Sequence, residues 1–141
     1  MAATIDRTRG ALHPLNAVLL AGATSLFLVA LLSDIAYFRS FEIQWNNLSS
    51  WLLAGGLVIA GFAFLCAIID LFRTRWRVWP GLVYAVLVLV TWILGFIDAL
   101  YHARDAWATM PTSLVLSVIV VVLACVALAI AFAGLRAGGA S

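Results

Sequence analysis

Four apolar stretches, each long enough to cross a bilayer, leave this chain few folds to choose from. The first, Pro14 to Ser33, runs 20 residues without a charge. At about 1.5 Å of rise per residue it covers the roughly 30 Å hydrocarbon core. The second is uncharged from about Leu48 until Asp70, the third from Pro80 until Asp98, and the fourth from Pro111 to Leu135. Inside lipid every backbone N–H and C=O must find a partner within the protein, so runs of this kind are helices. Composition agrees. The chain is 66% hydrophobic and 10% charged, where soluble domains run near 45–50% and about 25%. A soluble domain is excluded.

The expected architecture is an all-α integral membrane protein, a four-helix antiparallel bundle with both termini cytoplasmic. Its helices are placed at about 14–38, 48–72, 79–102 and 111–135, in one transmembrane domain over 13–136. A short N-terminal segment, 1–12, precedes it, and a tail, 137–141, follows. Helix 1 is expected to stay uncleaved, because its apolar core is too long for a signal peptide and Ser-Asp-Ile-Ala-Tyr is a poor cleavage site. His13-Pro14 suits a helix start, since proline is tolerated in the first turn. Arg39 to Ser50 reads as a polar loop, with Asn46, Asn47, Ser49 and Ser50 as candidate caps for helix 2. Arg73, Arg75 and Arg77 with Trp76 and Trp79 read as a basic, aromatic hairpin. Short connections force antiparallel neighbours.

All eight basic residues are arginine. Six of them (Arg7, Arg9, Arg73, Arg75, Arg77, Arg136) fall on one side of the expected topology, and Arg39 and Arg104 on the other. The positive-inside rule then makes the first side cytoplasmic, and a cell inner membrane is the expected setting. Trp45, Trp51, Trp76, Trp79 and Trp107 fall near the interfaces, and Trp92 sits deep. Small residues at Gly56/Ala60 and Ala63/Ala67 have the spacing that lets helices approach closely. A net charge of +2 is too small and scattered for nucleic acid. The partners expected are the lipid bilayer and another membrane or periplasmic protein, or a second copy.

Chemistry-bearing residues are few, and Gly95–Trp107, GFIDALYHARDAW, holds most of them. Asp98 and His102 stand four apart and share a helical face. Tyr101, Arg104 and Asp105 follow closely. Asp34 and Tyr37 end helix 1 at the same level, and Asp34-x-x-Tyr37 echoes Asp98-x-x-Tyr101, as two repeated two-helix units would. Asp34, Tyr37, Asp98, Tyr101, His102, Arg104 and Asp105 therefore form the candidate polar cluster. The bland reading makes it an extracytoplasmic rim, with His102 solvated and the aspartates capping helices or pairing with arginines. His13 and Asp70 are the candidates on the cytoplasmic side, Asp70 standing three residues before Arg73.

Three function classes follow from these residues. The first is a non-catalytic anchor or accessory subunit; hydrolase and nucleotide motifs such as GxSxG, HExxH and a Walker loop are missing. The second is a redox or metal protein with Asp98 and His102 as ligands, although a metal site needs three or four. His13 and His102 lie a membrane thickness apart and cannot share one haem, so no cofactor is predicted, with haem or a divalent metal as the alternative. The third is a proton or small-solute conductor. Cys66 and Cys125 lie in apolar runs without a CxxC partner and read as small hydrophobes.

Several of these stretches together resemble the bacterial membrane family known as domain of unknown function 2231. The carriers are His13-Pro14, ALLSDIAYF around Asp34, AGGLVIAGFAFLCAIIDLFR with Asp70, GFIDALYHARDAW, and MPTSLVLSVIVV. The similarity covers about residues 11–135. It departs after helix 4, where similar sequences continue with Gly-Gly and a basic tail and this chain reads LRAGGAS. The resemblance implies an integral membrane protein and no particular mechanism.

Overall fold

The computed structural model describes residues 13–73 and 78–139. Its helices are α1 (Pro14–Ser40), α2 (Ile43–Arg73), α3 (Val78–His102), the single turn α4 (Ala106–Thr109), and α5 (Thr112–Gly139). All but α4 are long and apolar enough to cross a membrane. The chain is a four-helix membrane bundle. The 1–12 segment and the Arg75, Trp76 and Arg77 part of the hairpin lie outside the described residues.

The expected loop over Arg39–Ser50 is a correction. α1 continues to Ser40 and α2 already begins at Ile43. Phe41 makes this abrupt reversal with φ 55°, and its N–H donates to Tyr37 O at 2.7 Å. A left-handed residue closing a helix is usually glycine, so the sequence gives no warning of the turn here. The polar residues read as caps instead lie within α2. Ser49 Oγ donates to Ala30 O of α1 at 3.2 Å, and Ser50 Oγ to Asn46 O at 2.8 Å. At the other end of the chain, α5 extends helix through much of the stretch expected as a tail.

α1 packs on α2 and α5, and α3 packs on the same two helices. α1 and α3 therefore face each other across a diagonal. The interior is built from small residues: Ala17, Ala23, Ala30, Ala60, Ala63, Ala124, Ala127 and Ala131 are buried. Between apolar helices in lipid, close contact of this kind replaces the hydrophobic driving force as the source of attraction. Phe27 fills the centre, fully buried, and lies so close to Gly56 that an added Cβ would sit 2.6 Å from its ring. Trp92, expected deep, donates its indole N–H to Leu57 O at 3.0 Å beside Gly61. A dry layer of Phe27, Ala30, Leu53, Val120 and Ala124 thus separates the two ends of the bundle.

Among the described residues, each end carries a polar bridge across the α1/α3 diagonal. At the end where α1 begins, Tyr84 Oη of α3 donates to Asn16 Oδ1 at 2.9 Å. At the opposite end, Asp34 of α1 meets His102 of α3. These two bridges tie together helices that otherwise touch little.

Candidate functional site

α1 delivers Asp34 one turn before Tyr37, α3 delivers Asp98 and His102 from successive turns, and α5 delivers Ser113 and Ser117 from its first two turns. The i, i+4 spacing puts the α3 pair on one face and the α5 pair on another, and both faces turn inward. Asp34 and Asp98 are 0% exposed and His102 is 4% exposed. The expected rim is thus a correction: the ionisable residues form a buried centre. The reason lies in the neighbours. Serines 113 and 117 offer the carboxylates partners inside the bundle, so they need not turn to water or arginine.

Asp34 Oδ1 lies 2.8 Å from His102 Nε2, and Asp34 Oδ2 lies 2.5 Å from Ser117 Oγ. Ser117 Oγ is also 2.7 Å from Asp98 Oδ2. Ser113 Oγ donates to Asp98 Oδ1 at 2.6 Å and stands 2.8 Å from His102 Nδ1. Nδ1 itself lies 3.0 Å from the backbone carbonyl of Asp98. The carbonyl only accepts, so a hydrogen bond there needs the proton on Nδ1.

Ser117 stands between two carboxyl groups and has one hydroxyl proton to give. Two short oxygen–oxygen contacts need two protons, and the second has to sit on a carboxyl group. The contact between Nε2 and Asp34 needs a further proton. Placing three protons on the Asp34, Asp98 and His102 trio gives a donor to the Nε2–Asp34 contact and to both Ser117 contacts, while the Nδ1 proton is shared between the Asp98 carbonyl and Ser113 Oγ. Imidazolium at His102, carboxylate at Asp34 and carboxylic acid at Asp98 is one arrangement that serves these contacts, and its charges cancel. A buried polar network is favourable when every member is satisfied, and a net charge in a low-dielectric interior is costly.

The remaining candidates separate from this centre. Tyr37 is buried above it and donates from Oη to Ala106 O at 3.1 Å. Tyr101 is half-buried, with the Arg104 guanidinium 4.9 Å over its ring. Arg104 and Asp105 are exposed, and Asp105 precedes α4 without a side-chain cap bond. The Asp34/Tyr37 and Asp98/Tyr101 echo therefore holds for the aspartates, which share Ser117, and fails for the tyrosines. At the far end Asp70 accepts from His13 N–H at 3.3 Å, and His13 Nδ1 accepts from Leu15 N–H at 3.2 Å. His13 and Asp70 thus hold the start of α1 against the end of α2. Among the described residues, no three His, Cys, Asp or Glu side chains are arranged to hold a metal ion. Ser113 and Ser117 both lie in the MPTSLVLS stretch, one helical turn apart. Their four-residue spacing was the one available signal for them.

Residues 11–137 match the family described as "Predicted membrane protein (DUF2231)". The chain belongs to this family. That description fits the four spans and extends from the residues before α1 nearly to the end of α5. No curated protein and no solved structure matches the chain. The family description carries no chemistry, so the buried centre is the main guide to function in this DUF2231 protein.

Proposed function

We propose that this DUF2231 protein is a non-catalytic accessory or anchoring membrane protein that binds a proton at the Asp34–Ser117–Asp98 bridge. The observation that carries the reading is Ser117, one hydroxyl within hydrogen-bond distance of two buried carboxyl groups. Intramembrane ionisable groups are costly and are functional candidates by default. A purely mechanical clasp gains little from them, because replacing a buried ion pair with apolar packing is often neutral or stabilising. The groups that face the bridge are Asp34 from α1, Asp98 and His102 from α3, and Ser113 and Ser117 from α5. Among the described residues, α2 brings no ionisable side chain into hydrogen-bond contact with them.

The centre is closed to solvent, which favours binding a proton over transforming a substrate. The dry layer below it favours a site that loads and unloads over one that conducts. The arginine distribution supports an extracytoplasmic position for the centre, in a protein of a cell inner membrane. There, exposed Phe41, Arg104, Asp105 and Trp107 form a face for a membrane or periplasmic partner.

Infrared spectroscopy of the purified protein in mild detergent tests the reading. At about pH 7, where ordinary aspartates are ionised, the wild type is expected to show the C=O stretch of a protonated carboxyl, and Asp98→Asn is expected to lack it. A wild-type spectrum without that band at neutral pH overturns the proposal.

A further inference from the structure

The α3 and α5 residues of the centre are joined through a single turn of helix, and the way that turn is held bears on how a proton would get in and out. α4 lies between the end of α3 and the start of α5. Its four residues are too few for stability of their own, since one turn does not repay helix nucleation. No side-chain bond caps its N-terminus. Among the described residues, the side-chain hydrogen bond that ties it to α1 is Tyr37 Oη to Ala106 O, 3.1 Å. Thr109, fully buried, adds two long contacts of 3.3 Å from Oγ1, to Tyr101 O and Asp105 O.

The same residues border two different environments. On the outer side, Tyr37, Phe41, Ala106, Trp107, Met110 and Pro111 line a hollow of about 340 Å³. Trp107, 80% exposed and stacked on Phe41, forms its rim. On the inner side, Asp34 lies one helical turn before Tyr37, and Ser113 lies two residues after Pro111. Toward the other end of the bundle the way is longer and dry. The next buried polar groups along α3 are Thr91 and Tyr84, seven residues apart from each other and, at Thr91, from Asp98. Seven residues of helix span about 10 Å, too far for a hydrogen bond, and Thr91 Oγ1 is committed to Leu87 O. Phe27 and Val120, fully buried, occupy the level between.

We infer that α4, strapped by Tyr37, is the gate of the proton-binding centre, and that exchange with water takes place through the Tyr37/Trp107 hollow alone. The inference rests on the proton-binding reading above. Tyr37 acts on the centre as a positioning residue: its hydroxyl holds α4 closed and does not touch the carboxyl groups. Opening needs no rearrangement of the spans. A loss of the strap and a small displacement of one turn bring water to His102 and Asp34.

The test is the rate at which the carboxyl band shifts after transfer of the detergent-purified full chain into D₂O. Tyr37→Phe removes the strap while keeping the ring, and the band is expected to exchange about fivefold to tenfold faster, the change that easing an opening by one hydrogen bond produces. Thr109→Val, which frees the other anchor of α4, is expected to accelerate it too and serves if Tyr37→Phe does not fold. Thr91→Val, on the dry side, is expected to leave the rate unchanged. Unaltered exchange in both Tyr37→Phe and Thr109→Val, or equal acceleration in Thr91→Val, overturns the gate. A wild type without the carboxyl band overturns the proton-binding reading instead, so the two failures are distinct.

Discussion

Asp34→Ala is expected to destabilise the bundle by about 3–5 kcal/mol, the cost of removing one partner from a buried pair. Asp98→Asn is expected to stay within about 1 kcal/mol of wild type, the scale of one altered hydrogen bond. The difference follows from what each carboxyl group does. Asp34 faces His102 Nε2 at 2.8 Å, and its loss leaves the buried His102 ring without its carboxyl partner. Asp98 receives Ser113 on one oxygen and faces Ser117 with the other. An asparagine reproduces that pattern, with its oxygen accepting from Ser113 and its amide donating to Ser117 Oγ. Asp98→Ala removes both partners and should fall with Asp34→Ala. Reversible unfolding in mixed micelles measures all three. Equal, large losses for Asp98→Asn and Asp98→Ala would mean that Asp98 is held as a carboxylate.

The second large effect is at the opposite extreme of polarity. Gly56→Val is expected to cost at least the roughly 1–3 kcal/mol typical of overpacking. Even a single added carbon at Gly56 meets Phe27 Cε1 at 2.6 Å and Cδ1 at 2.8 Å. Phe27 has no room to yield, being fully buried among Ala23, Ala30, Leu53, Leu57 and Val120. Gly61 is a looser neighbour, with the Trp92 indole nitrogen 3.4 Å from the same ideal position. Gly61→Ala should therefore cost less than Gly56→Ala. Thermal unfolding of the detergent-solubilised variants gives the order. A Gly56→Val protein as stable as wild type would show that the α1/α2 contact does not depend on close approach.

Much of this fold was legible because lipid imposes a simple demand. Uncharged runs of helical length announce α1, α2, α3 and α5 without any packing information, and Pro14 marks the first of their starts. The turn at Phe41 was not legible, because a non-glycine residue in the left-handed region leaves no compositional trace. The site was half legible. Asp34, Asp98 and His102 are rare residues in an apolar chain, and helical spacing already put two of them on one face. Their burial was invisible, since residues near helix ends look interfacial until tertiary packing is known. Ser113 and Ser117 were harder still. A serine in a membrane helix commonly bonds its own i−4 carbonyl, as Ser25, Ser33 and Ser40 do here. Only the convergence of three helices shows that these two instead bond across the bundle.

That convergence is the core of the functional reading, and carbon-13 NMR of aspartate-labelled protein in lipid nanodiscs addresses it most directly. With the two resonances assigned through Asp34→Asn and Asp98→Asn, the carboxyl shifts at about pH 7 report the protonation of each group, where a free aspartate is ionised. One carboxylate, at Asp34, and one carboxylic acid, at Asp98, is the predicted result. Two carboxylates at neutral pH would contradict it and leave the Ser117 bridge without its second proton.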